Sequence, residues 1–269
     1  MNKKLIFGSG LSSHKDIQGL CEVCKTALEH DITHFDSAPS YKTETLISKA
    51  IRSCAQQLGL NRDNYSIQTK IDPIHMYNGH IEEYFKSKLK EMELEYIDGL
   101  LIHWPVEKYL HDTWNALVKL KEKGLAKEIG ICNLRIRHLK KFTADGIIPD
   151  ILQIERHPLN TFRDEAEWCV EHNIELQDYS PLCKMHPLIK DNSEINSIAN
   201  KYSKNVGQII LRWHIDTGAI PVFTSKKPER IKQYSDIWDF KLTQEDIEAV
   251  YRINHNHKLY LESLICPGF

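Results

Sequence analysis

Phe35-Asp36-Ser37-Ala38-Pro39-Ser40-Tyr41-Lys42-Thr43-Glu44 follows a short apolar run and precedes a helical pattern, so it reads as a loop leaving the end of a strand. The loop offers a carboxylate, Asp36, and a phenol, Tyr41. Two later apolar runs stop on groups of matching chemistry: 66–70 ends on Lys70, and 100–105 carries His103 followed by Trp104. Polar groups gathered where strands stop are what an active site at one face of a βα barrel looks like.

Outward from that loop the same alternation repeats. Strand patterns fall at 4–7, 32–35, 65–69, 96–102, 126–132, 150–154, 174–179 and 219–223. Helical spacing of apolar residues lies between them: 16–29, a segment capped by Thr43 and stopped near Gly59, 80–94, 109–123, 136–142, 163–173, 193–203, 206–217 and a short helix from Pro228. A last helix is predicted over 243–253, with Thr243 as N-cap and Glu245 and Asp246 in its first turn. The nearly continuous apolar run 96–102 suits a strand covered on both faces. Eight such units, joined by right-handed crossovers, select a closed (β/α)8 TIM barrel with a short C-terminal helical segment. An open dinucleotide-binding sheet wants a third glycine after Gly8-Ser9-Gly10, and the sequence lacks it. No linker or composition shift divides the chain, so one domain over 1–269 is expected.

The balance of 35 basic and 37 acidic residues, a formal charge of -2, argues against nucleic acid or an anionic membrane as the main partner. No apolar run approaches the ~18 residues that span a bilayer. The basic start is broken by Gly8-Ser9-Gly10 too early for a signal peptide, so a cytoplasmic protein is expected. Seven cysteines, an odd number scattered from Cys21 to Cys266, read as reduced thiols. Cys21 and Cys24 form a C-x-x-C pair inside a helical pattern, where packing is the simpler role. His255 and His257 lack a carboxylate or cysteine at ligand spacing, so no metal is expected.

Read singly, Asp36 fits a turn or helix cap, Tyr41 a packing aromatic, Lys70 a surface group and His103 a buried histidine. Together they make a proton donor. An ammonium beside a phenol lowers its pKa from near 10, a carboxylate fixes the ammonium, and a histidine orients a carbonyl oxygen. The sum protonates an oxygen as it becomes an alkoxide. No side chain delivers hydride, so a cofactor is implied.

Asp36-Ser-Ala-Pro-Ser-Tyr41-Lys-Thr-Glu44, Thr69-Lys70, Tyr96-Ile-Asp-Gly-Leu-Leu-Ile-His103-Trp-Pro105, Ile129-Gly-Ile-Cys-Asn133, Gln153-Ile-Glu155-Arg-His-Pro158, Tyr179-Ser-Pro-Leu182 and Pro228-Glu-Arg230-Ile231 resemble, in this order, the motifs of the aldo-keto reductases. The resemblance covers nearly the whole chain. It implies a metal-free monomeric barrel that reduces an aldehyde or ketone with a nicotinamide cofactor. By it, Tyr41 is the proton donor, Lys70 and Asp36 tune it, His103 positions the substrate and Trp104 lines the pocket. Tyr179 resembles the ring on which the nicotinamide stacks, and Asn133 and Gln153 the amides that hold its carboxamide. Cys132 stands where the family often has serine, which weakens one hydrogen bond. Ser225 and Arg230 resemble ligands of the 2′-phosphate, and NADPH is the expected cofactor. Thr224 replaces the usual lysine there, which leaves NADH open, and Tyr234 replaces an asparagine that contacts adenine. Glu44 is expected to begin its helix and complement the dipole. Two rivals stay open: a cofactor-binding sensor with negligible turnover, and a cofactor-free lyase or isomerase on the same scaffold.

Overall fold

The computed structural model describes residues 4–10 and 16–261. Its strands are β1 (Ile6–Gly8), β2 (His34–Asp36), β3 (Ser66–Ile71), β4 (Ile97–Ile102), β5 (Ala126–Cys132), β6 (Ile151–Glu155), β7 (Glu175–Tyr179) and β8 (Ala219–Phe223). All run parallel and in chain order, and β8 pairs back onto β1 through Ile6–Val222 and Phe7–Phe223. The sheet is a closed barrel and has no edge. The helices are α1 (Ile17–Glu29), α2 (Glu44–Gln57), α3 (Pro73–Asn78), α4 (Ile81–Met92), α5 (Glu107–Glu122), α6 (Ile136–Ala144), α7 (Arg163–Glu171), α8 (Pro187–Lys190), α9 (Ser193–Tyr202), α10 (Val206–Asp216), α11 (Pro228–Ser235) and α12 (Gln244–Arg252).

Two cores result. Between strands and helices lies an apolar layer in which α1 buries Leu20, Val23, Cys24, Ala27 and Leu28, one face of a 3.6-residue repeat. Phe7 meets Phe35 and Phe223 edge-on there, at centroid distances of 6.3 and 5.9 Å. The lumen, by contrast, sets a polar net beside a small apolar cluster of Leu101, Cys132 and Ile151. Gln68 on β3 donates to Gln177 on β7 at 2.7 Å, and Gln153 on β6 donates to Asp36 on β2 at 3.1 Å. Those strands lie four apart in the ring, so both bonds cross the interior. Gly130 permits the close β5–β6 approach: a Cβ there would stand 2.4 Å from the Ile151 carbonyl oxygen.

Several expectations change. Lys70 does not end its strand, because β3 pairs with β4 as far as Ile71–Ile102. The short helix α3 was not anticipated; Pro73 starts it and Gly79, at φ 72°, stops it before any apolar repeat builds up. Thr43 occupies the N-cap position of α2 without capping, since its hydroxyl lies 3.0 Å from that of Ser9. Thr243 does cap α12, forming a reciprocal box with Asp246. Cys24 is buried in α1, and burial pushes its thiol up. Cys266 and residues 11–13 of the first loop lie outside the described residues. Among the described residues, no helix is long and apolar enough to cross a membrane.

Candidate active site

Asp36 is the last residue of β2, and the chain turns through a short 3-10 segment, Pro39–Tyr41, begun by proline. Lys42 leaves it in the left-handed region at φ 57°, a conformation that costs a non-glycine residue about 1–2 kcal/mol. The turn sets the Tyr41 ring 5.1 Å from the Lys70 ammonium.

Lys70 is fully buried, and three acceptors surround its Nζ: both Asp36 oxygens at 2.7 Å and the Ser37 carbonyl at 2.8 Å. Asp36 Oδ1 also accepts from Gln68 at 2.7 Å and from Gln153. Such saturation is what a buried pair needs, because desolvating each ion costs several kcal/mol. Burial alone would lower the Lys70 pKa; the Asp36 carboxylate overrides that and raises it, so the ammonium stays charged. Its effect on Tyr41 differs from the sequence expectation. Burial outweighs everything else and pushes the phenol up to about 12, while Lys70 only pulls part of that back. The phenol is therefore an acid held in its protonated form.

His103 follows β4 directly, its N–H bonded to the Ile71 carbonyl at 3.0 Å. Its ring stands edge-on to Tyr41, centroids 5.7 Å apart. Trp104, half-buried, lies beyond it at 5.9 Å. Burial lowers the His103 pKa, against the opposing pull of Asp72.

On the opposite side of the mouth, Asn133 adopts φ 62°, a conformation asparagine tolerates, and donates to the His103 carbonyl at 2.9 Å. Tyr179, at the end of β7, donates its hydroxyl to Asn133 Oδ1 at 2.9 Å. Asn133 keeps a second N–H and a second lone pair. Gln153 has no N–H to spare, because its Nε2 donates to Asp36 at 3.1 Å and to Gln177 at 2.9 Å. Its amide is thus turned into the lumen rather than out to the mouth. Cys132 lies beneath, 3.9 Å from Gln153 Oε1, a weaker contact than a hydroxyl makes.

Thr224, Lys226 and Lys227 between β8 and α11, and Arg230 in the first turn of α11, are exposed. The Arg230 guanidinium makes no hydrogen bond or ion pair with a described residue; Asp236 binds Lys204 at 2.8 Å instead. The Ser225 hydroxyl closes a local turn onto Lys227, accepting from its N–H at 3.0 Å and donating to its carbonyl at 3.1 Å. Uncommitted cations beside a helix N-terminus are a donor set suited to phosphate. Tyr234 faces the core, edge-on to Phe223 at 5.5 Å. Glu44 begins α2 and in addition bonds the Thr69 hydroxyl and lies 3.4 Å from Lys88.

Sequence reading missed four residues at this site. Gln68 and Gln177 plug the lumen beneath Asp36, and only polar residues at inward strand positions signalled them. Asp72 holds the ring of His103, its signal an acid two positions past Lys70 and just before a proline. Glu155 accepts from the N–H groups of Leu259 and Tyr260 at 2.6 and 3.0 Å, bringing Tyr260 edge-on to Tyr179 at 5.9 Å.

The sequence pattern of the aldo/keto reductase family matches residues 4–255. Methylglyoxal reductase DkgA of Escherichia coli (strain K12) is 34% identical over 237 residues, which cover 87% of this chain and 84% of that protein. Glyoxal reductase of Bacillus subtilis (strain 168) is 32% identical over 94% of this chain and 90% of its own. A Bombyx mori aldo-keto reductase solved in complex with NADP superposes with a TM-score of 0.85 at 27% identity, covering 96% of this chain and 91% of that one. A match across almost every strand and helix described above settles the class: the chain belongs to the aldo/keto reductase family, oxidoreductases that reduce carbonyl groups with a nicotinamide cofactor.

Proposed function

We propose that this protein reduces small reactive aldehydes of the glyoxal type, with Tyr41 as proton donor and NADPH as reductant. The observation that carries the reading is the Lys70 ammonium, locked on Asp36 and Ser37 with its charge beside a protonated Tyr41. A phenol held near 12 stays protonated at neutral pH, so it is a proton source. As the proton leaves for the carbonyl oxygen, Lys70 stabilises the phenolate, and Asp36 keeps Lys70 in place. His103 orients the oxygen, and Trp104 walls the pocket. When bound, the nicotinamide supplies the hydride to the carbonyl carbon. Tyr179 offers the face for that ring, Asn133 the free amide valences for its carboxamide, and Gln153 and Cys132 support them from below. Ser225, Lys226, Lys227 and Arg230 hold the far phosphate, where Thr224 in place of a lysine leaves NADH usable. The named activities of the two reductases above support the substrate class. The rest of the reading is a cytoplasmic monomer whose residues 1–269 work as one domain.

The test is consumption of NADPH, and separately NADH, with methylglyoxal and with glyoxal, beside quenching of tryptophan fluorescence by each nucleotide. Binding with turnover, faster with NADPH, is expected. Tight binding without turnover on any aldehyde would mean a sensor, and no binding at micromolar nucleotide a cofactor-free enzyme.

A further inference from the structure

Asp72 stands at the N-cap of α3, where an aspartate ordinarily accepts an N–H of the first turn. It makes no such bond. Its Oδ1 instead lies 2.5 Å from Nδ1 of His103, both residues being only 8% exposed. The ring's other nitrogen, Nε2, has no partner among the described residues. The backbone around the pair is pinned as well: the His103 N–H bonds Ile71 and its carbonyl accepts from Asn133.

Protonation follows from this contact. The His103 hydrogen bond holds the Asp72 carboxyl below its usual value against the opposing effect of burial, so it is an ionised acceptor at neutral pH. Nδ1 must then carry the proton. A neutral ring so held presents a bare lone pair at Nε2, and a carbonyl oxygen, also an acceptor, gains nothing from it.

We propose that Asp72 is a positioning residue for carbonyl reduction: it fixes the Nδ1–H form of His103, so that Nε2 donates to the substrate oxygen only from the imidazolium. This rests on the proposed function above. The imidazolium keeps its proton throughout; hydride goes to the carbonyl carbon and the Tyr41 proton to its oxygen, which balances the reaction. The groups facing the ring are Asp72 and Lys70 from β3 and its end, Asp36 from β2 and Tyr41 from the 3-10 turn. Burial, with Lys70, outweighs the two carboxylates that favour the imidazolium, so the ring gives up its second proton below the ordinary histidine value.

Two measurements test this. In the cofactor-free protein, nitrogen NMR of labelled histidine, assigned with His103→Asn, should show Nδ1 protonated at every pH and only Nε2 titrating. Asp72→Asn should abolish that preference. In turnover, kcat/KM for aldehyde reduction should be flat at low pH and fall as the imidazolium is lost. Asp72→Asn, in which the neutral ring can carry its proton on Nε2, should lose the falling limb and hold kcat/KM roughly level up to neutral pH, with KM for NADPH unchanged. Asp72→Glu should keep the wild-type limb, which separates charge from folding. A neutral wild-type ring carrying its proton on Nε2, or an Asp72→Asn profile with the wild-type midpoint, overturns the proposal. Should Tyr41→Phe retain turnover, the reading of the reaction fails while the NMR signature still reports on the dyad.

Discussion

The barrel's two ends carry similar residues and use them differently. At the N-terminal end, Lys4 pairs with Glu175 at 2.7 Å, with 19% and 26% of the two side chains exposed. His34, Asp98 and Glu128 line a small cavity of about 40 Å³ nearby. At the C-terminal end, Lys70 pairs with Asp36 at the same 2.7 Å, with 0% and 3% exposed. Distance does not distinguish the pairs; burial does. Water screens the first to little net value, whereas the second keeps its field and directs it at one phenol. Parallel strands cause the asymmetry, because only their C-terminal ends feed the loops that bring Tyr41 and His103 over the mouth.

The sharpest way to break this contrast is Tyr41→Phe. It should cut aldehyde reduction by about 10³-fold, since it removes the proton donor, while nucleotide binding, read by fluorescence quenching, stays near wild type. A wild-type rate would end the mechanism. Next comes Lys70→Met, which strands a buried carboxylate and should cost about 3–5 kcal/mol in urea unfolding. Adding Asp36→Asn should restore most of the stability and none of the activity. If activity returned with stability, the pair would be merely structural.

Arg230→Met should raise KM for NADPH about 10-fold or more and leave that for NADH unchanged, as expected for one charged contact to a phosphate. Equal losses for both would remove Arg230 from phosphate recognition. At the other end, Lys4→Met should change stability by less than about 1 kcal/mol and leave kcat alone. His34 adds a pH effect. Burial, with Lys4 adding to it, pulls its pKa from 6.5 to about 4, so the unfolded chain binds the proton more tightly. Stability should therefore be full above about 6.5 and decline as pH falls toward about 4, a slope that His34→Gln should flatten in chemical-denaturation midpoints.

Much of this was legible beforehand, for identifiable reasons. Alternating apolar periods gave every strand its place, and Asp36, Tyr41, Lys70 and His103 stood out as polar groups where those periods stop. Other features were not legible. Arg156 and Asp178 form a fully buried pair at 2.8 Å, joined by His214 at 2.6 Å, yet along the chain each reads as an ordinary charged residue. Gln68 and Gln177 look interchangeable with any strand glutamine until closure of the barrel sets them face to face. Asp72 reads as a turn residue before proline, and only the approach of β4 to β3 reveals what it holds.

Local periodicity and residue chemistry were enough to establish the barrel and the order of its strands and to single out Asp36, Tyr41, Lys70 and His103, because these depend on spacing along one chain. The sign of the Tyr41 shift, the inward turn of Gln153 and the contact between Asp72 and His103 needed the folded molecule. Each depends on how much water is excluded and which groups from distant strands come within a hydrogen bond's reach, and a linear sequence carries neither quantity.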